Sequence, residues 1–533
     1  MQLYAGMTKQ FVEDTTLNRI AEKLSEEFFR CYRYKPSPGE VNAWRNSLQA
    51  VSNVVQYANF LDHGIILEYQ LPLSSKRLDC MFTATDGSSE PNAVVMELKQ
   101  WDRAKDSDVD GCVTAFVGGR EREVLHPSRQ VGQYHQYLAD CHTVFSERSV
   151  ALSSCSYLHN AQFDPGDVLF APKFEPVLKQ YPLFAGDQRD ELIGFLEQRL
   201  RNGNGRDVLN FVLGSKYRPC KNLLDHVAQV IEDQSDFVLL DEQLVVFNAV
   251  LSLVKQGYHE KSKVVVLVKG GPGTGKSIIA LHLVGALSKM GYNAQHGTGS
   301  RAFTKNIHRI LGNRAESQFR QFSNFALAKR NEVDVLVCDE AHRLWPKARI
   351  MYQKLPDGRL IDQLIEAAKV SVFFIDDLQV VRPSEVGSSA LIREAAKSNH
   401  ARLLEYELEA QFRCQGSEAF INWIDNTLGT RQTANVIWAA DETFDFRVVD
   451  SPATLEALIR KRQSEGYTAR VSAGYCWPWS REPRADGTLE PDVRIGNWAM
   501  PWNARPDGKL AKGIPKSHFW ASDPNGINQV GCV

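Results

Sequence analysis

The sequence predicts an α/β protein made of several domains, and three observations support this. The chain has 533 residues, which at roughly 150 residues per domain is too long for one hydrophobic core. Its apolar fraction of 43% and charged fraction of 24% are those of an ordinary globular protein. From about residue 236 onward, short aliphatic strands alternate with helices. That alternation is typical of a parallel sheet that binds ligands at the carboxyl ends of its strands.

Charge, cysteine usage and hydropathy exclude several classes of protein. The formal net charge of -2 leaves no overall basic surface, so any nucleic-acid binding must use a local groove. The ten cysteines form no CxxC pair, which argues against a zinc ribbon or a disulfide framework and favours a reducing compartment. The aliphatic runs are far shorter than the roughly 20 residues that a membrane span needs, and the N-terminus lacks the apolar run of a signal peptide. We therefore expect a cytoplasmic protein without a membrane partner.

Changes of pattern along the chain predict four parts. An N-terminal domain spans residues 1–200, a connector 201–235, a first strand-and-helix lobe 236–398 and a partial second lobe 399–533. The hexapeptide RNGNGR at the start of the connector is rich in glycine and asparagine and predicts a flexible break.

The strongest motif is a phosphate-binding loop between a predicted strand and a predicted helix. Its residues fit G-x-x-x-x-G-K-[ST] and are Gly270, Gly271, Pro272, Gly273, Thr274, Gly275, Lys276 and Ser277. Glycines let backbone N–H groups surround phosphates, and the helix N-terminus adds a partial positive charge. We expect Lys276 to bridge the β- and γ-phosphates of ATP and Ser277 to ligate Mg²⁺.

A second motif, VDVLVCDEAHRL, places two acids at the end of an aliphatic strand. Because strands of a parallel sheet end at one edge, Asp339 and Glu340 should lie beside the phosphate-binding loop. We expect Asp339 to hold Mg²⁺ through water and Glu340 to orient or deprotonate the attacking water.

Further segments resemble superfamily 1 helicase motifs and occur in the same order. The tetrad that begins at Asp339 resembles the DExx signature. LLDEQ, which ends at Gln243, resembles the Q motif whose glutamine contacts adenine. TGSRAFTKNI (298–307) resembles the segment that touches a single-stranded backbone. The resemblance implies that Gln379, in FFIDDLQVVRP, senses the γ-phosphate and that Arg413, in EAQFRC, reaches it from the second lobe.

Together with GYCWPW and ASDPNGINQVGC, these motifs resemble the bacterial Schlafen group 3-like DNA/RNA helicase domain over residues 236–533. The resemblance implies RecA-like P-loop NTPase lobes with parallel sheets. In that family the final segment continues into motifs V and VI, whereas this chain ends at Val533 before both. We therefore expect an incomplete second lobe, completed by a homo-oligomer or by a second polypeptide, and we do not expect processive unwinding.

The N-terminal domain carries a candidate nuclease motif. Asp79 and the triplet Glu97, Leu98 and Lys99 lie on two consecutive predicted strands, 18 positions apart. Strand alternation places Glu97 and Lys99 on one face, and hairpin pairing can bring Asp79 beside them. The two carboxylates and the Leu98 carbonyl would form a hard oxygen site for Mg²⁺ or Mn²⁺. Lys99 would orient or activate water and stabilise the transition state.

This pattern is that of PD-(D/E)XK nucleases, and it implies a restriction-endonuclease-like α/β fold for the N-terminal domain. A downstream helix carries Gln130 and Tyr134, which resemble the QxxxY element of RecB-type nucleases. Gln133 and Tyr137 have the same spacing on the same helix and are an equal alternative.

We therefore expect an ATP-dependent, helicase-like nuclease that acts on DNA or RNA, with a role in anti-phage (antiviral) defence or DNA repair by analogy alone. The alternative is a nucleotide-gated switch that binds nucleic acid without cleaving or unwinding it. A third hypothesis is an ATPase scaffold for protein partners. Cleavage assays on labelled DNA and RNA would distinguish these three hypotheses.

Overall fold

The computed structural model describes the residues 2–32, 34–71, 76–117, 119–215, 239–256, 263–311, 318–350, 355–380, 382–410, 418–433, 435–438, 445–505 and 509–532. Within these residues the chain is mixed α/β, as the sequence predicts. None of the helices in this part of the chain combines the length and apolar character that crossing a bilayer requires.

The N-terminal unit is built on a mixed sheet with order β1-β2-β3-β4-β7-β8 among the described residues. The four strands β1 to β4 pair antiparallel, and the pairings β4–β7 and β7–β8 are parallel. The strands are β1 Gln2–Met7, β2 Gly64–Gln70, β3 Arg77–Thr85, β4 Pro91–Lys99, β7 Ala151–Leu158 and β8 Leu183–Ala185, with β5 Cys112–Val117 and β6 Arg120–Leu125 as a separate antiparallel hairpin. The helices are α1 Thr8–Thr16, α2 Ile20–Tyr32, α3 Pro38–Tyr57, α4 Pro127–Cys141, α5 Thr143–Ser146, α6 Glu175–Gln180, α7 Arg189–Leu200 and α8 Gly205–Leu213.

Both faces of this sheet are covered by helices. Alternate residues of β4 enter two different apolar clusters, with Val94 and Met96 on one side and Ala93 and Val95 on the other. A strand buried on both faces has no polar alternation, which is why its sequence is a nearly continuous apolar run. The predicted hairpin between β3 and β4 is confirmed, and Asp86 closes its turn by accepting bonds from the backbone of Ser88.

The RNGNGR segment is not a flexible break. Thr85 N–H donates to Gly203 O at 2.8 Å, and a Cβ on Gly205 would lie 2.0 Å from Gly64 N. The glycines are therefore required because the chain here packs directly on the N-terminal sheet. Helix α8 follows at once and buries Val208 in the N-terminal core. The N-terminal unit thus extends to α8, past the predicted boundary at residue 200, and the rest of the expected connector (216–235) lies outside the described residues.

The second unit is a parallel sheet with helices on both faces. Its strand order in the described residues is β11-β10-β12-β13-β9-β14, and every pairing is parallel. The strands are β9 Val264–Gly270, β10 Ala294–Thr298, β11 Phe319–Gln321, β12 Val333–Asp339, β13 Ala368–Ile375 and β14 Arg402–Leu408. The helices are α9 Glu242–Lys255, α10 Lys276–Lys289, α11 Arg301–Leu311, α12 Leu360–Ala367 and α13 Ser389–Ser398. The predicted parallel sheet is confirmed.

The first lobe also extends further than predicted. Strand β14 pairs with β9 through Leu408↔Gly270, so the sheet continues ten residues past the expected boundary at 398. The strand belongs to this lobe because its backbone pairs with β9 and forms the edge of the sheet.

The C-terminal residues form smaller elements: α14 Glu418–Leu428, α15 Pro452–Ser464, β15 Val471–Ala473, β16 Val493–Ile495, β17 Trp498–Met500 and β18 Val530–Cys532. Strands β15 and β18 pair parallel, and a small apolar cluster surrounds the buried Trp502. The assignment of residues 399–533 to a partial RecA-like lobe stays a prediction.

Candidate functional site

The phosphate-binding loop connects β9 to α10, which is the local context that its sequence requires. Gly273 and Gly275 adopt φ values of +83° and +84°, a conformation that glycine reaches without a steric penalty. The Lys276 ammonium donates to the carbonyl oxygens of Gly270 and Gly271, each at 2.7 Å. The lysine therefore lies over the concave side of the loop, where a nucleotide's phosphates would have to bind.

Asp339 lies at the carboxyl end of β12 and faces the phosphate-binding loop. Its side chain is 3% exposed, and Ser277 hydrogen-bonds to it. Burial acts to raise the pKa of Asp339, but His296 and the Ser277 hydroxyl outweigh that effect and hold the pKa below its ordinary value. An ionised carboxylate beside a hydroxyl is a donor pair that suits Mg²⁺. The residues present therefore fit the predicted magnesium site.

Glu340, the residue after Asp339, has a left-handed backbone conformation with a φ of +55°. This conformation is uncommon for a residue other than glycine, and such strain concentrates at functional sites. Arg343 donates to the Glu340 carboxylate at 3.4 Å, and the carboxylate remains about one third exposed. The turn thus points Glu340 away from the strand axis while Asp339 stays buried.

The other predicted nucleotide contacts are Gln379, Gln243 and Arg413. Gln379 lies in the turn after β13, a strand between β12 and β9, so it shares an edge with Asp339 and the loop. Gln243 is buried and donates to the carbonyl of Thr274 at 3.0 Å. It therefore supports the loop itself, and its contact with adenine stays a prediction. Arg413 lies outside the described residues.

A basic groove opens at the carboxyl end of β10, where the sequence predicts contact with a single strand. It encloses a cavity of about 380 Å³, and its walls include Thr298, Arg301, Trp345, Arg349 and Arg382. Positive side chains next to an aromatic ring are a combination that can grip a phosphate backbone and stack a base.

The N-terminal candidate site lies where β3 and β4 separate. Their paired register ends at Cys80↔Met96, and the Asp79 carboxylate then accepts a hydrogen bond from Leu98 N–H at 2.6 Å. Lys99 Nζ lies 2.8 Å from Glu97 Oε1. Asp79, Glu97 and Lys99 line one cavity of about 650 Å³. The structure thus brings together the three side chains that the sequence predicts.

The electrostatics of this cavity are those of buried acids. Burial raises the pKa of Glu97, the negative charge of Asp79 raises it further, and Lys99 opposes both effects. Burial and then the charge of Glu68 raise the pKa of Asp79. Glu97 Oε2 is buried and has no hydrogen-bond partner among the described residues. An unsatisfied buried carboxylate oxygen costs free energy unless a cation or donor reaches it, so the residues fit a bound Mg²⁺ or Mn²⁺.

The described residues contain no group of three or more acidic, histidine or cysteine side chains placed to hold a metal. The two carboxylates would therefore need other oxygen ligands, and the Leu98 carbonyl stays a prediction. Glu68 lines the same cavity, accepts a bond from Trp44 Nε1 at 2.8 Å and is ion-paired with Arg77.

Helix α4 decides between the two glutamine–tyrosine pairs. Gln130 and Tyr134 line the cavity, and Gln130 Nε2 donates to the Tyr134 hydroxyl at 2.9 Å. Both tyrosines pack in the same apolar cluster, but Tyr137 does not line the cavity. Gln133 accepts a bond from the backbone N–H of Asp241 at 3.1 Å. The structure therefore favours the pair Gln130 and Tyr134 as the one that faces the cavity.

Sequence reasoning missed two residues of this cavity, Asp241 and Lys76. The Tyr134 hydroxyl donates to the Asp241 carboxylate at 3.0 Å, and Lys76 Nζ is 3.1 Å from it. Asp241 lies 107 positions after Tyr134, immediately before α9 of the other unit. No local pattern in the sequence signals this contact.

The parallel sheet, the loop between β9 and α10, and the acids at the end of β12 define a P-loop nucleotide-binding domain. Residues 263–533, just over half of the chain, match the family Schlafen group 3, DNA/RNA helicase domain. The chain belongs to this family. The matched segment contains both the phosphate-binding loop and Asp339–Glu340.

The search of curated proteins found no match. Similar solved structures include AMPPCP-bound DnaA from Aquifex aeolicus, with 16% identity and a TM-score of 0.19 over 38% of this chain and 56% of that one. They also include the replication initiator DnaA bound to AMPPCP and single-stranded DNA, with 14% identity and a TM-score of 0.18 over 41% and 61%. The chain thus spans less than two thirds of their length.

Proposed function

We propose that the protein is an ATP-driven, helicase-like motor on DNA or RNA whose N-terminal unit cleaves phosphodiester bonds with a divalent cation. The family match supports the motor. The observation that carries the cleavage activity is the convergence of Asp79, Glu97 and Lys99 in one cavity, where a carboxylate oxygen of Glu97 has no hydrogen-bond partner among the residues that the structure describes. A role in defence against phage or in DNA repair is part of the proposal and rests on analogy alone.

In the motor, Lys276 holds the β- and γ-phosphates, and Ser277 and Asp339 hold Mg²⁺. Glu340 orients the attacking water, since its carboxylate projects from a turn next to the loop. Gln379 and Arg413 are proposed γ-phosphate contacts. The groove around Arg301 is the proposed contact with the nucleic-acid backbone.

In the N-terminal unit, Asp79 and Glu97 would hold Mg²⁺, with Mn²⁺ as a substitute. When bound, the cation polarises the phosphoryl oxygen and lowers the pKa of a water molecule. Lys99 orients the water and offsets negative charge that develops on the phosphoryl group. Gln130 and Tyr134 form a hydrogen-bonded wall that positions the scissile strand.

A second hypothesis is a nucleotide-gated switch that binds nucleic acid without cleaving it. The ion pair between Lys99 and Glu97 favours it, because a carboxylate that is engaged by a lysine is a weaker metal ligand. In that case the cavity would hold a phosphate through Lys99 and release it when the motor changes conformation.

The test is cleavage of end-labelled single- and double-stranded DNA and RNA, with Mg²⁺ or Mn²⁺ and with or without ATP. We expect wild type to cut at least one substrate and Lys99→Ala to lose at least about 10²-fold in rate. Lys105→Ala is the matched control, since Lys105 is a surface lysine of the same unit. Binding of substrate without cutting by wild type would favour the switch, and cutting by Lys99→Ala at the wild-type rate would remove the nuclease assignment.

A further inference from the structure

Residues 239–243 lie between the two candidate sites and touch both. Leu239 is buried in the core of the P-loop unit, and the next residue, Leu240, is buried in the core of the N-terminal unit. Since neighbouring residues are fixed in different cores, this short segment is held by both units at once.

The same segment sends one side chain into each site. The Asp241 carboxylate enters the N-terminal cavity, where Tyr134 and Lys76 bind it. Two residues later, Gln243 donates to the Thr274 carbonyl of the phosphate-binding loop. Only one residue separates the two contacts.

The backbone of Asp241 adopts a strained conformation between the contact with the cavity and the contact with the phosphate-binding loop. Its φ is +42° and its ψ is −113°, which no regular structure uses. The strain is held by two bonds: Asp241 N–H donates to Gln133, and Leu240 N–H donates to Gln243 Oε1 at 3.1 Å. A strained conformation that the surroundings impose depends on those surroundings staying in place.

Gln243 is sensitive to the conformation of the loop. A Cβ on Gly275 would lie 2.1 Å from Gln243 Nε2, so the side chain packs directly on the loop's backbone. A nucleotide that orders this backbone would therefore also order Gln243, and through it the segment that carries Asp241.

We propose that residues 239–243 link the two sites, with Asp241 as a positioning residue of the cleavage cavity that bound nucleotide fixes in place through Gln243. This inference rests on the proposed cleavage function. Asp241 accepts a hydrogen bond from Tyr134 and pairs with Lys76, and because these contacts engage its carboxylate it acts as a positioning residue and not as a metal ligand. Nucleotide binding therefore raises the rate of cleavage.

The first experiment compares cleavage with and without a non-hydrolysable ATP analogue. We expect the analogue to raise wild-type cleavage roughly fivefold or more, and we expect this ratio to fall to about one in Gln243→Ala and Asp241→Asn. Asn248→Ala is the matched control, because Asn248 lies on the same helix and bonds across the units to Asp110 O at 2.9 Å without reaching either site. This control should keep the wild-type ratio.

A second measurement, hydrogen–deuterium exchange, does not depend on cleavage. In wild type, the analogue should slow exchange in peptides that cover residues 130–141 and 239–243, and Asp241→Asn should abolish the protection of residues 130–141 while still binding the analogue, since Asp241 contacts Tyr134 and Lys76. If wild type does not cut but shows this protection, the cleavage function fails and the link stands. If wild type cuts at the same rate with and without the analogue, and the analogue does not slow exchange in these peptides, the link is wrong. Both wild-type measurements test the link without any variant, so they decide the outcome even where a variant fails to fold.

Discussion

The side-chain amide of Gln243 donates to the carbonyl oxygen of Thr274 at 3.0 Å and packs against Gly275 at the start of α10. A residue outside the phosphate-binding loop thus helps to fix the loop's shape. The loop's function should therefore depend both on its own side chains and on this contact.

Loss of the loop lysine should abolish ATP hydrolysis. Lys276→Ala removes the cation nearest to the phosphates, so we expect the ATPase rate to fall by at least about 10²-fold in a phosphate-release assay. Glu340→Gln should bind ATP normally and hydrolyse it slowly, because Asp339 remains. Lys289→Ala, at the exposed end of the same helix, is the control. A Lys276→Ala protein with wild-type ATPase activity would show that this loop is not the nucleotide site.

A methyl group on Gly275 should disrupt nucleotide binding because it strains the backbone of the loop and displaces the Gln243 amide. Gly275 has φ +84°, and an added Cβ would lie 2.1 Å from Gln243 Nε2. Gly291 has a similar φ of +86° with nothing within 4 Å of an added Cβ, so Gly291→Ala introduces similar backbone strain beyond the far end of α10 without touching the loop. Titration with a fluorescent nucleotide should show a large loss of affinity for Gly275→Ala and little for Gly291→Ala. Equal losses would show that the effect is not specific to the phosphate-binding loop.

The basic groove should contribute to nucleic-acid affinity in a salt-dependent way. Arg301→Ala removes one positive charge from the wall of the groove, so the slope of log K against log salt for a single-stranded oligonucleotide should become shallower by about one unit. Arg330→Ala, in the exposed turn before the opposite end of β12, should leave the slope unchanged. An unchanged slope for Arg301→Ala would show that the nucleic-acid strand does not bind in this groove.

Acid should destabilise the N-terminal unit through buried histidines. His126 Nδ1 caps α4 by accepting from Ser128 N–H at 3.2 Å, and its Nε2 bonds to Leu169 O, so the ring is held neutral. Burial lowers the pKa of His126 to about 4 from an ordinary value of 6.5. Since the unfolded chain binds this proton more readily, stability is fully present above about pH 6.5 and falls as the pH drops toward 4, by an amount of order 2–3 kcal/mol.

Urea denaturation of wild type and His126→Gln at several pH values measures how much of the pH dependence of stability comes from His126. The variant should be less stable at neutral pH and should lose less stability between about pH 6.5 and 4. His400→Asn, at an exposed position with φ +51°, is the control and should keep the wild-type slope. Parallel wild-type and His126→Gln curves would remove His126 as the cause.

The sequence by itself determined the features that depend on neighbouring residues. The phosphate-binding loop needs a strand, a run of glycines and a helix in direct succession, and all three lie within Val264–Lys289. The Glu97 and Lys99 pair also follows from alternation along one strand, and the β3–β4 hairpin brings Asp79 to the same end. Hydrophobic pattern and turn residues encode such features directly.

Only the tertiary structure decided the contacts between distant segments. The entry of Asp241 into the cavity of Tyr134 depends on how two separate units pack, and the placement of β14 beside β9 depends on which sheet edge is open. The glycine-rich segment near Gly205 is another such case, because glycine permits both flexibility and close approach, and only the neighbouring backbone decides which applies. Packing between distant segments leaves no periodic signal in either segment's sequence.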